Sequence, residues 1–109
     1  MSTSPLTPER HTFRAALTEI AAKAKDKLPE CNGRVEKATK LVLAGDVALL
    51  DKDRAEVASM TNPAATYLVA NGVCACADFA RAPHGFCAHR LAAAMARRVR
   101  ETMSRSREV

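Results

Sequence analysis

Apolar side chains recur at three- and four-residue steps through the first third of the chain. Phe13, Leu17, Ile20, Ala24 and Leu28 form one such stripe, predicting an amphipathic helix. Thr7-Pro8-Glu9 reads as its start, with Thr7 as N-cap, Pro8 at the first helical position and Glu9 favoured by the dipole. Pro29 ends it. A second helix is predicted over residues 32–44, with Val35, Ala38, Leu41 and Val42 inward and Gly45 placed to stop it.

From residue 46 the period changes to short β-like runs. Residues 47–50 and 54–60 are joined by the polar turn Asp51-Lys52-Asp53, and Thr61-Asn62-Pro63 breaks the second run. Residues 66–70 and 73–76 are separated by Asn71-Gly72, a dipeptide suited to the positive φ angles of a type I′ hairpin. The last element is a predicted helix over residues 88–103, with Leu91, Met95, Val99 and Met103 as its apolar stripe. At about 100° per residue, Arg90, Arg97, Arg98 and Arg100 fall on the opposite half. The expected fold is α+β: two N-terminal helices, a three- to four-stranded antiparallel meander and a C-terminal helix. Residues 1–45 form the helical segment, 46–104 the sheet and last helix, and 105–109 a frayed basic tail, all in one compact domain.

Composition adds that the core is thin. The 109 residues hold no Trp, one Tyr and three Phe, and many of the apolar positions are Ala. A small domain with so little area to bury often needs a staple. Charge is uneven as well. Residues 1–76 carry ten Lys and Arg against nine acids, whereas residues 77–109 carry seven Arg against three acids. An excess concentrated in one segment points to an acidic partner, nucleic acid first and protein second. Residues 1–8 are polar and no apolar run reaches membrane-spanning length, so a cytoplasmic chain with reduced thiols is expected, with no membrane partner.

The chemistry lies in Cys74-Ala75-Cys76 and Cys87-Ala88-His89, the pattern C-x-C-x10-C-x-H. Three thiolates and one imidazole suit a tetrahedral zinc ion, and four protein ligands leave no open position for substrate. One structural zinc is therefore expected. Side chains two apart on a strand share a face, so Cys74 and Cys76 can meet one ion from the second hairpin arm. Two apart within a helix they stand about 200° apart, which places Cys87 just before the last helix and His89 in its first turn. The result is a ββα unit closed by zinc. His84 is the lesser alternative as fourth ligand, and Cys31 reads as a spare buried thiol.

This pattern resembles the SWIM zinc finger. The likeness runs over residues 66–96, with Tyr-Leu-Val-Ala-Asn-Gly-Val before the first cysteine, Asp78-Phe79 after the second and His89-Arg90-Leu91-Ala92 closing it. With the lead-in strand around residues 55–60 it covers about half of the chain. The resemblance implies Cys74, Cys76, Cys87 and His89 as zinc ligands, and DNA binding or protein contact as function. That family occurs in bacterial SWI/SNF-type helicases, Mutator-like transposases and ubiquitin-pathway proteins. Two departures are a family Lys replaced by Ala88, and the lack of any helicase, nuclease or transposase domain within these residues.

Two functions follow as expectations, and a third is set aside. The first is binding of nucleic acid, duplex DNA before RNA, through Arg81, Arg90, Arg97, Arg98 and Arg100, since guanidinium groups pair bidentately with phosphates. The second is a non-catalytic protein adaptor in a DNA-processing or mobile-element complex. An enzyme acting on a small-molecule substrate is not expected, because no nucleophile–base set, paired carboxylates or phosphate-cradling loop stands out.

Overall fold

The computed structural model describes residues 8–62 and 64–107; the expected N-cap, Thr7, lies outside them. Helix α1 (Pro8–Lys27) stops before Pro29, and a single 3₁₀ turn, Pro29–Cys31, leads directly into α2 (Asn32–Leu43). On α1, Leu17 is 1% exposed and Ala16 and Ala21 are buried, while Phe13, Ile20 and Ala24, with Leu28 just past the helix end, pack partly buried against the core. All four expected positions of α2 are buried. Gly45 follows at φ +76° and closes the helix. Its N–H donates to the Val42 carbonyl and that of Asp46 to the Leu41 carbonyl, the paired bonds of a Schellman ending.

The sheet is an antiparallel meander of β1 (Val47–Leu49), β2 (Arg54–Ala58), β3 (Thr66–Ala70) and β4 (Val73–Cys74), in that spatial order. Across it Leu49, Ala55, Val69 and Cys74 stand in one row and Val47, Val57 and Tyr67 in another. These rows carry the buried side chains, and the alternate row Ala48, Glu56, Leu68 faces solvent. Helix α3 (Ala88–Arg107) packs against the sheet and against α1 and α2, burying Leu91, Ala92, Met95 and Val99. Complete burial of a residue such as Leu17, Val57 or Val99 is worth about 1.5–3 kcal/mol each. The eight buried alanines contribute much less apiece.

Five boundaries differ from the sequence reading: α2 ends at Leu43 with Ala44 as its cap, and four others follow. β1 ends at Leu49 because the Leu50 N–H already bonds back to the Arg54 carbonyl in the turn. β2 ends at Ala58, where the buried Ser59 hydroxyl accepts the N–H groups of Thr61 and Asn62 and turns the chain. β4 stops at Cys74, leaving Cys76 in a bend beyond it. Helix α3 runs four residues past Met103, taking in part of the expected tail, since no Gly or Pro interrupts residues 104–107.

Candidate metal centre

The Asn71-Gly72 turn brings β4 back beside β3, with φ of +52° and +79° as a type I′ turn requires. Cys74 pairs across the ladder with Val69 and points into the core. Past the bend at Cys76, the loop closes with a 3₁₀ turn, Pro83–Gly85, and delivers Cys87 to the residue before α3. His89 follows in the first turn of the helix. Ligand atoms of Cys74, Cys76, Cys87 and His89 all lie within 4.8 Å of one another. Cys74 and Cys87 are buried, and Cys76 and His89 are half-buried.

The spacing fits a tetrahedral ion. With metal–sulfur bonds of about 2.3 Å and a metal–nitrogen bond of about 2.0 Å, two sulfur corners stand about 3.8 Å apart and a sulfur and a nitrogen corner about 3.5 Å. The Cys74 Sγ to His89 Nδ1 distance is 3.8 Å. Three soft donors and an imidazole on four separate corners are a set that can hold a metal ion without water in its first coordination sphere. His84, the alternative ligand, is exposed and stands outside the cluster, at φ +57° in the 3₁₀ turn. Cys31 is also outside it; it is 1% exposed, and burial pushes its thiol up from the ordinary value.

Local chemistry prepares the donors. Cys87 is the N-cap of α3: its carbonyl accepts the Leu91 N–H, and its Sγ accepts the Arg90 N–H at 3.4 Å. The positive end of a helix favours negative charge on that sulfur. Burial works the other way, raising the Cys87 thiol and pushing the Cys74 thiol up to about 12. Burial also lowers the His89 imidazole, which keeps its ring neutral and able to ligate. Tyr67 on β3 lies against the His89 ring, with centroids 4.6 Å apart, and limits its rotation.

Two contacts hold the ligand loop in place, and a third closes a turn of the sheet. Arg34 of α2 grips Asp78 through both carboxylate oxygens, at 2.7 and 2.8 Å, two residues after Cys76. That pair holds the Asp78 carboxyl below its ordinary range. Arg90 reaches back from α3, its Nη1 donating to the carbonyls of His84 (3.2 Å) and Gly85 (3.3 Å) while its guanidinium lies 4.4 Å from the centre of the Phe86 ring. Beside the Asn71-Gly72 turn, where the Asn71 N–H donates to the Asp53 carbonyl, Arg97 donates to the carbonyls of Asp51 and Arg54, closing the β1–β2 turn against α3. Two of the five arginines expected to meet nucleic acid therefore bind this protein's own main chain. Arg81, Arg98 and Arg100 are exposed. The sequence reading missed Arg34 as a clamp on the loop; 44 positions separate it from Asp78, and no local pattern joins them.

No described helix is long and apolar enough to cross a membrane. Comparison with protein-family models, with curated proteins and with solved structures finds no match to this chain.

Proposed function

We propose that this chain is a non-catalytic binding module of SWIM type, closed by one structural zinc ion on Cys74, Cys76, Cys87 and His89, and that it serves as a protein-interaction adaptor. The four-donor cluster carries the reading. Three sulfurs and one imidazole favour zinc over the harder cations, and a full set of protein ligands gives the ion a holding role with no place for substrate. The ββα unit around it, with β3–β4 on one side and the start of α3 on the other, supports the same assignment.

The choice of a protein partner over nucleic acid follows from the arginines. Arg90 and Arg97 are engaged inside the fold. Arg98 and Arg100 are two positions apart on α3 and so point about 200° away from each other. Arg98 lines a slot toward α1, and Arg100 a separate hollow beside Gly45 and Val47. A dispersed set of this kind makes no continuous track for a phosphate backbone. Nucleic-acid binding stays as the second reading, favoured by the basic excess of residues 77–109.

Titration of a labelled DNA duplex with the zinc-loaded protein at several salt concentrations separates the two. The adaptor reading expects no specific binding at moderate salt. Affinity that falls by a factor of about 10 or more between low and moderate salt, and falls further in an Arg81→Gln, Arg98→Gln, Arg100→Gln variant, would establish phosphate contacts and overturn it.

A further inference from the structure

The geometry points to the slot between α1 and α3 as the docking site for an acidic amphipathic helix of a partner protein, an inference that rests on the adaptor function proposed above. The slot encloses about 420 Å³, within the size of ordinary ligand sites. It follows α3 from Leu91 to Arg105, roughly 21 Å of helix axis. Its floor is apolar: Ile20 from α1, Leu28 just past its end, and Leu91 and Met95 from α3, with Phe86 beside them. Ala94, exposed, leaves the middle of the slot open.

Its rim is cationic. Lys23 and Lys27 stand on α1 and Arg98 and Arg105 on α3, against Glu101 as the one acidic lining residue among those described. Lys23 meets Glu19 at 3.4 Å, but both side chains are about 70% exposed and solvent screens the pair. Among the described residues no ion pair engages Lys27, Arg98 or Arg105.

Two properties select the occupant. A narrow apolar floor between two helices receives the i, i+3/i+4, i+7 stripe of a third helix. A phosphate backbone has no apolar stripe to set on that floor, which argues for peptide over nucleic acid. Carboxylates flanking the stripe then face four cations, and that complementarity steers the encounter and fixes orientation.

The test uses the full zinc-loaded chain and fluorescent designed helical peptides of about 14 residues, long enough for the slot. One carries Leu on the stripe and Glu elsewhere; the second replaces Glu by Lys; the third keeps Glu and replaces Leu by Ser. The expected result is that the first binds about tenfold or more tighter than either control. Ala94→Gln, which fills the slot with a good helix former, and the Lys27→Gln, Arg98→Gln double variant should each lose about tenfold. The visible spectrum of the cobalt-substituted protein should stay unchanged in both, reporting an intact metal centre. Equal binding of the Ser control, or no binding of any peptide, overturns the docking site. If the peptides fail and duplex DNA binds with steep salt dependence, the adaptor function falls with it; if both fail, the docking site alone falls.

Discussion

Arg90 touches both sides of the metal centre. Its guanidinium holds the carbonyls of His84 and Gly85, lies against Phe86, and sits so close to the hairpin turn that a Cβ on Gly72 would stand 3.1 Å from its Nη2. His84 is a non-glycine residue in the left-handed region, a conformation costing on the order of 1 kcal/mol that persists because its surroundings enforce it. Loss of the clamp frees that turn and with it the placing of Cys87. Arg90→Gln should therefore weaken metal binding by about 10- to 100-fold, the usual cost of losing a group that orients a ligand. Competition of the cobalt-loaded protein with a chelator reads this directly. Arg90→Lys should recover little, having no planar fork to span two carbonyls. Cys87→Ser removes a donor outright and should lower the midpoint of thermal unfolding steeply, since structural zinc contributes up to about 10 kcal/mol in small domains. An unchanged transition in that variant would remove zinc from the account of the fold.

At the scale of elements, the β3–β4 hairpin is the part of the site most legible beforehand. Asn71-Gly72 named the turn, and both residues have the positive φ it demands. Gly72→Ala meets two obstacles, φ +79° and the Arg90 guanidinium, and should destabilise by about 1–2 kcal/mol in urea unfolding. Gly33→Ala, inside α2 with nothing within 4 Å of the added Cβ, should instead stabilise by up to about 1 kcal/mol. Helices α1 and α2 were equally readable, because spacing of Leu17 or Val35 with its neighbours and the stop at Gly45 are local signals. Cys76 was misplaced on a strand for a physical reason. Alternation puts two side chains on one face, but a bend after Cys74 brings their sulfurs together as well, and the spacing alone does not tell these apart. The end of α3 was set too early because burial stops near Met103, whereas the backbone bonds continue to Arg107. Arg90 and Arg97 were read as a free cationic face because helical phase gives direction and not the carbonyls waiting there.

For the molecule as a whole, the metal centre ties stability to pH. Burial raises Cys74 from 9.0 to about 12 and also raises Cys87, so the metal-free fold favours their neutral thiols. That contribution is complete below pH 9 and is lost as pH climbs toward 12. His89 is lowered from 6.5, so its contribution is present above that pH and is lost as pH falls through its folded value. The metal-free protein should be most stable between these limits. At pH 7, zinc uptake should release at least two protons, from Cys74 and Cys87, measurable with an indicator dye in weak buffer. Uptake without proton release would mean that the thiolates are already formed. One further consequence concerns α3, which carries His89 in its first turn and Arg98 about 13 Å further along the same rigid rod. Two ligands that favour one placement of a shared helix are thermodynamically reciprocal: each raises the affinity for the other by the same factor. A partner seated beside α3 would thus tighten the hold on zinc, and a cell short of zinc would loosen the hold on the partner.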